Sequence, residues 1–424
     1  MTTAMFGHML RIDLAWPGLG SFNLVRTLPL FALIFKSTQR KTYGHGPGLE
    51  QAHMNALRLA FVGRPQNSTG PARALIGLQR TLSRRDGVEL TTVTTRFAYR
   101  RLKQTEPTEM SWQSFDLPVL NLWAWLWILS VLKGRRVAII NVFDFALYSS
   151  LWVVLARVLG AHVVYTVHGA IQDEIALGAR TLPGSRLVER ILLTYSHGYI
   201  AVSDFLVNRL RTWYPSLKKP AAVIHNGIDR SFLLKADPGP FLQEFRPRHD
   251  VVLYAGLLAK TKGVDVLLEA FQDIAGTLVL AGWETPFSRP LRDNYAEMIA
   301  QGRLIFTGPL DQTMLRSAYA AAKVFVMPSR QDSCPQAVIE AMAAGCPVVI
   351  TDHVGTKEII TDGVEGFIVP SESPQALRQR LTLLLTNDHD QQQMGATACR
   401  VAARYPWENV AEEYLEAYAR LSVG

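Results

Sequence analysis

The chain has 424 residues, 48% of them hydrophobic and 19% charged. That composition excludes disordered and fibrous classes and supplies apolar side chains for two or three buried cores. Its three cysteines, Cys334, Cys346 and Cys399, form no C-x-x-C pair and no Cys/His cluster at zinc spacing. A structural metal is therefore not expected, and a reducing compartment is. The net charge of +8 is uneven. Residues 1–240 carry 28 Lys+Arg against 14 Asp+Glu, and residues 241–424 carry 16 against 22. A basic first half suits a phosphorylated ligand, an anionic membrane, nucleic acid or solubility alone.

Residues 1–53 show Gly/Pro punctuation and no sustained period. They are read as an N-terminal extension that the fold does not need, with Met54 a candidate start. The apolar run Leu24–Phe35 is twelve residues long and contains Arg26 and Pro29. It is short of the roughly 20 residues a spanning helix needs, and no small-residue cleavage site follows it.

A regular pattern begins after Met54. Leu57–Val62 reads as a buried strand, residues 63–70 as a loop, and Pro71 as the first turn of a helix with Leu75, Leu78 and Leu82 on one face. Val88–Val93 is a strand, followed by the basic stretch Arg96–Lys103, with Arg100 and Arg101. The apolar segment Leu120–Leu132 carries three tryptophans and is followed by Lys133, Arg135 and Arg136. It is read as a helix at an anionic membrane surface. The alternative is a helix packed on its own sheet with Trp123 and Trp127 inward.

Strands at 136–141, 161–167, 199–202 and 220–224 and a helix at 147–159 complete a first α/β series. Asp237–Pro240 reads as a linker. A second series follows: strands at 251–254, 277–281, 304–306, 324–327 and 347–351, with helices at 264–274, 313–322, 336–344 and 374–386, then a long helical tail. Such alternation implies two doubly wound parallel sheets with helices on both faces.

The most informative stretch is Pro328–Val349, which reads as strand end, loop, short helix and strand. Asp332 lies in the loop, Pro335 opens the helix, Glu340 sits mid-helix and Gly345 ends it. The helix start offers backbone N–H groups and a positive dipole end, which suit a diphosphate. Glu340 is flanked by Ile339, Ala341 and Met342. A carboxylate in that setting needs partners, either ligand hydroxyls or backbone amides.

This stretch resembles the signature of the retaining glycosyltransferases of family 4, which have the GT-B fold of two Rossmann-like domains facing across a cleft. Their two acids seven residues apart stand here as Asp332 and Glu340. Tyr254–Asp265 is similar to the family's Gly-Arg-Leu…Lys-Gly segment, with Lys262 at the lysine and Leu257 where an arginine is usual. Val167-His168-Gly169, Ala201-Val-Ser203, Ile224–Asp229, Phe306-Thr-Gly308, Gly355–Glu358 and Asp362–Gly366 are further matches, so the resemblance extends over most of residues 57–404. The first loop keeps one glycine, Gly70, where paired glycines are usual.

The resemblance implies roles. Asp332 would bind donor-sugar hydroxyls, Glu340 would bind the nucleotide ribose, and His168 would stand as the active-site histidine, the three forming the catalytic set. Lys262 would meet the diphosphate, with backbone amides near Cys334 and Gln336. Gly70 would allow close approach to the phosphates and Gly308 would stand beside the base. Lys260 is a candidate substitute for the arginine missing at Leu257. The organisation expected is an acceptor-side domain at 54–236, a nucleotide-sugar domain at 241–404, and a C-terminal helix at 405–424 packing back on the first domain. The function implied is transfer from a UDP- or GDP-sugar to a glycan or polyprenyl-linked acceptor in polysaccharide or glycoconjugate biosynthesis. No metal or other cofactor is expected, and the place expected is the cytoplasm or the inner face of the cell membrane.

Rival readings are an epimerase of the same fold and a catalytically silent, membrane-peripheral scaffold, the latter suggested by Leu257. No G-x-G-x-x-G follows the first strand and no P-loop is present, so dehydrogenase and P-loop readings lack support. Asp388-His-Asp390 matches a metal motif of another glycosyltransferase fold but reads as a solvated turn between helical segments. No aromatic-interleaved basic platform supports nucleic acid.

Overall fold

The structure, a computed structural model, describes residues 57–63, 70–95, 114–117, 137–143, 145, 147–158, 160–178, 184–218 and 220–422. The extension 1–53 and Met54 lie outside the described residues. So do residues 96–103 and 120–136, with the proposed membrane helix.

Two parallel sheets organise the chain. The first holds β1 (Leu57–Val62), β2 (Val88–Thr95), β3 (Ser114–Leu117), β4 (Ile139–Val142), β5 (His162–Val167), β6 (Gly198–Ala201) and β7 (Ala222–Val223), in the order β3-β2-β1-β4-β5-β6-β7. The second holds β8 (Val251–Ala255), β9 (Thr277–Ala281), β10 (Leu304–Gly308), β11 (Ala322–Met327), β12 (Val348–Thr351) and β13 (Gly366–Val369), in the order β10-β9-β8-β11-β12-β13. Every strand pairing is parallel. The near-continuous apolar runs have a simple cause: helices cover both faces, so β8 and β9 are buried at every residue.

In both sheets the winding reverses next to the first strand, between β1 and β4 and between β8 and β11. Ligand crevices in such sheets open at the carboxyl ends of the strands at that reversal. The loops leaving β1, β5, β8 and β11 carry most of the candidate residues.

Burial alternates along β1. Ala60 and Val62 join the large core shared with the second sheet, while Leu59 and Phe61 join a smaller one. That smaller core is closed by the last helix, Trp407–Ser422, which packs Trp407, Val410, Ala411, Tyr414 and Tyr418 against Leu75, Leu78 and Leu82 of the helix Gly70–Leu82. The Asn141 side chain donates to the Tyr418 hydroxyl at 2.6 Å and accepts from Thr166 at 2.9 Å. The chain thus returns to the first domain after building the second.

Four details differ from the sequence reading. The helical tail is two helices, Asp388–Ala402 and Trp407–Ser422, because Pro406 cannot donate to a continuing helix and bridges to Ile228 instead. Asp388 and Asp390 form the first turn of the former helix rather than a free turn. Asn387 caps that turn, and Asp388 pairs with Lys323 at 2.6 Å. The expected linker at 237–240 runs into a helix, Gly239–Phe245, whose Phe241 is fully buried against the second domain. β13 is an added strand within a Gly-punctuated segment.

Candidate active site

A cleft of about 1440 Å³ lies between the two sheets. Its first-domain wall is built from the first turn of the helix Gly70–Leu82, the His168–Ala170 loop after β5, Glu174 and Asn226. Its second-domain wall comes from the loops after β8, β9 and β10, from residues 331–337, and from Tyr319 and Glu340. The cleft therefore gathers Gly70, His168, Lys262, Asp332, Cys334, Gln336 and Glu340. Gly308 does not line it. The Gly308 carbonyl accepts from the Gly282 amide at 2.9 Å, and the neighbouring Pro309 and Leu310 reach the cleft instead.

Lys262 ends the short 3-10 segment Lys260–Lys262 and is followed by Gly263 at φ 64°. A Cβ at Gly263 would lie 2.0 Å from the Pro328 carbonyl oxygen, so glycine is required for this close approach. Lys262 Nζ lies 2.5 Å from Asp332 Oδ2, with both side chains partly exposed. The Asp332 backbone is tied down by its amide to His353 O at 3.1 Å and by its carbonyl to the Gly355 amide at 2.8 Å.

Glu340 is buried, 4% exposed. Its carboxylate accepts from the Tyr319 hydroxyl at 3.1 Å and faces Arg73 Nη1 at 3.5 Å. Both partners are side chains, and no backbone amide among the described residues bonds to it. The Tyr319 hydroxyl is pushed well above its usual pKa by burial, with Glu340 adding to the shift. Arg73 belongs to the first domain, so this contact crosses the cleft.

His168 ends β5. Both its ring nitrogens are shielded from solvent and have no hydrogen-bond partner among the described residues. Burial lowers its pKa to about 3, so the imidazole is neutral. A neutral ring offers one donor and one acceptor.

Cys334 and Gln336 serve the domain contact with their side chains. The Asn226 amide reaches Cys334 Sγ at 3.3 Å, and Asn226 Nδ2 donates to Cys334 O at 2.8 Å. Burial pushes the Cys334 thiol up to about 12, which makes it a poor nucleophile. Gln336 Nε2 donates to Gly227 O at 2.8 Å. The backbone remains available: no side chain caps the helix Gln336–Ala343.

Further bonds join the domains beside the cleft. Ser203 donates to Ser333 O at 2.7 Å, and Gln331 donates to Asp173 at 3.1 Å. Glu358 accepts from the Asp204 and Phe205 amides, capping the helix Asp204–Trp213, and also meets His225 at 3.1 Å.

Sequence reasoning missed Arg73, Glu174 and Tyr319, and reached Asn226 only as part of the matched segment Ile224–Asp229. Arg73 had a signal, since it stands three residues after Gly70 on one helical face. Tyr319 had none. Leu257 lines the cleft with 48% of its surface exposed, and Lys260 lines it with no partner for its ammonium among the described residues. Among the described residues, nothing lies within 4 Å of where a Cβ at Gly70 would stand. Among the described residues, no group of three or more His, Cys, Asp or Glu could hold a metal ion.

Two doubly wound domains facing a cleft at their strand carboxyl ends define the GT-B architecture. Residues 69–232 match the Glycosyltransferase Family 4 model and residues 241–401 the model for Glycosyl transferases group 1, one on each sheet. The chain belongs to the family-4 glycosyltransferases, a family of transferase enzymes.

Among curated relatives, the D-inositol 3-phosphate glycosyltransferase of Corynebacterium urealyticum is 29% identical over 280 residues, 61% of this chain and 65% of that protein. The phosphatidyl-myo-inositol mannosyltransferase of Mycobacterium leprae is 29% identical over 63% of this chain and 69% of its own length. The chain's match thus spans about two thirds of these relatives. Among solved structures, sucrose-phosphate synthase from Thermosynechococcus elongatus superposes with TM-score 0.72 at 20% identity, over 86% of this chain and 99% of that one. Anabaena HepE in complex with UDP gives 0.70 at 17%, over 86% and 99%.

Proposed function

We propose that the protein is a retaining hexosyltransferase that moves a sugar from a nucleoside-diphosphate sugar to a glycan or lipid-linked acceptor. The observation that carries this reading is the convergence of Asp332, Glu340, Lys262 and His168 on one interdomain cleft. Lys262 and the amides at the Gln336 helix start stabilise the charge that develops on the diphosphate as the glycosidic bond breaks. Asp332 holds sugar hydroxyls, Glu340 holds the ribose, and the neutral His168 ring lines the same cleft. Retention follows from attack on the face the diphosphate leaves. The acceptor oxygen bonds to the anomeric carbon, the carbon–phosphate-oxygen bond breaks, and the acceptor proton passes to the departing phosphate.

UDP is the favoured donor nucleotide because HepE is described in complex with UDP and with UDP-glucose. The names of the inositol-linked relatives point to a polyol phosphate or a lipid headgroup as acceptor. Neither metal nor cofactor is needed in this scheme, so EDTA should leave the rate unchanged. A thermal-shift screen against UDP-, GDP- and ADP-sugars tests the donor, because a ligand bound only by the folded state raises apparent stability. No shift with any of them would overturn the reading. Product analysis for free epimerised sugar separates it from an epimerase.

The membrane-side reading rests on the sequence of residues 96–136. No helix among the described residues is long and apolar enough to cross a membrane. Flotation with anionic vesicles tests surface binding, which should fall with salt. A second reading, a silent scaffold, is favoured by exposed Leu257, which has no donor for a diphosphate. Hydrolysis of donor by the purified protein excludes it.

A further inference from the structure

Arg73 enters the cleft from the first turn of the helix Gly70–Leu82, on the wall opposite Lys262. Its contact with Glu340 is loose: 3.5 Å is too long for a good hydrogen bond. The guanidinium has five donors in a planar fork, and the side chain stays 41% exposed although Glu340 is almost fully buried. Glu340 beside it raises the Arg73 pKa, so the charge is permanent.

The other groups on the cleft walls differ from Arg73 in one respect each. Lys262 is held by Asp332 at 2.5 Å. Leu257 is exposed to the cleft but has no donor to offer. Lys260 carries a point charge, not a fork. Gly70, three residues before Arg73, lines the same wall, with nothing among the described residues within 4 Å of where its Cβ would stand. No acidic residue stands in the first turn of that helix to compete with an incoming anion.

We infer that Arg73 is a first-domain ligand of the donor's diphosphate. It leaves Glu340 for the phosphate oxygens, a bidentate geometry that guanidinium suits. Glu340, still bonded to Tyr319, is then free to take the ribose hydroxyls. The diphosphate is clamped between Arg73 on one domain and Lys262 on the other, so donor binding draws the domains together. This assignment rests on the donor-binding reading proposed above.

Calorimetry on the full chain with UDP, GDP, ADP and uridine tests it, using wild type, Arg73→Gln and Arg73→Lys. Arg73→Gln should weaken the tightest-bound diphosphate about tenfold or more while changing uridine binding less than about threefold. Arg73→Lys should recover part of the loss, since it restores the charge without the fork. Equal losses for diphosphate and uridine would mean that Arg73 acts only by holding Glu340, and that overturns the inference. Unchanged diphosphate binding in both variants overturns it as well. A wild type that binds none of the three diphosphates overturns the donor-binding reading itself, and this inference with it. If Arg73→Gln does not fold, the Arg73→Lys comparison decides alone: a diphosphate-specific loss supports the assignment, and parity with wild type for every ligand ends it.

Discussion

Lys262 Nζ lies 2.5 Å from Asp332 Oδ2, so the cation read as the diphosphate contact and the acid read as a sugar contact hold one another. A donor must separate this pair before either group can serve it. Replacing Asp332 with Asn releases Lys262 at little cost, because the pair is partly exposed and worth about 1 kcal/mol. UDP should therefore bind about fivefold more tightly to Asp332→Asn than to wild type. Sugar transfer should fall about tenfold to a hundredfold in the same variant, through a lost charge-assisted hydrogen bond. Calorimetry with UDP and turnover with UDP-sugar measure the two effects. Weaker UDP binding in the variant would show that the pair does not compete with the ligand.

Glu340→Gln isolates the charge of the buried acid. Glutamine can still accept from the Tyr319 hydroxyl, and Arg73 is exposed enough to remain hydrated when its partner loses charge. The melting temperature should stay within a few degrees of wild type. Turnover should fall about tenfold to a hundredfold. Near-wild-type turnover with the true donor would remove Glu340 from the site.

His168 should remain neutral throughout the working range. Burial lowers its pKa to about 3, whereas an unfolded histidine titrates near about 6.5. The folded state thus binds this proton less readily than the unfolded state. The stability this group contributes is complete above about pH 6.5 and is lost as the pH falls from there toward about 3. Denaturant titrations between pH 4 and pH 8 should show a shallower acid decline for His168→Gln than for wild type. Ring-nitrogen NMR at pH 5 offers a direct check, and a protonated imidazole there would contradict the assignment.

The fold was legible because parallel strands covered on both faces carry continuous apolar runs. β1, β8 and β9 stand out on that signal alone. β13 did not, because its four residues follow a Gly-rich turn. The break at Pro406 was hidden among helix formers, although the proline itself marked it. That Asp332, Glu340 and Lys262 line one cleft was legible from spacing and resemblance, since each lies within one local segment. Their partners were not. Arg73 meets Glu340, and Asn226 meets Cys334, across domain contacts that no local pattern encodes. Gly308 lies in a recognised segment, but the backbone turns there at φ 71° and Pro309 and Leu310 line the cleft.

The return of the C-terminal helix to the first domain depends on a slot for one indole. Trp407 packs where a Cβ at Gly77 would fall 2.2 Å from its ring, and where a Cβ at Gly227 would fall 2.6 Å from it. Both glycines are thus required by space, not by backbone conformation, since neither has a positive φ. Gly77→Ala sets two effects against each other. Alanine inside the helix Gly70–Leu82 gains about 1 kcal/mol in propensity. The methyl must displace a rigid, 8%-exposed ring, and overpacking of that kind costs about 1–3 kcal/mol. The ring cannot yield locally, because the Trp407 amide is bonded to Ile228 O at 3.0 Å and Gly227 closes the other side. Overpacking should win, lowering the melting temperature by a few degrees and exposing the Trp407–Ser422 helix to protease. Adding Trp407→Leu should recover part of that loss, since the smaller side chain leaves room for the methyl. A Gly77→Ala variant that melts above wild type would show that the helix shifts to accommodate the methyl and that the slot is not tight.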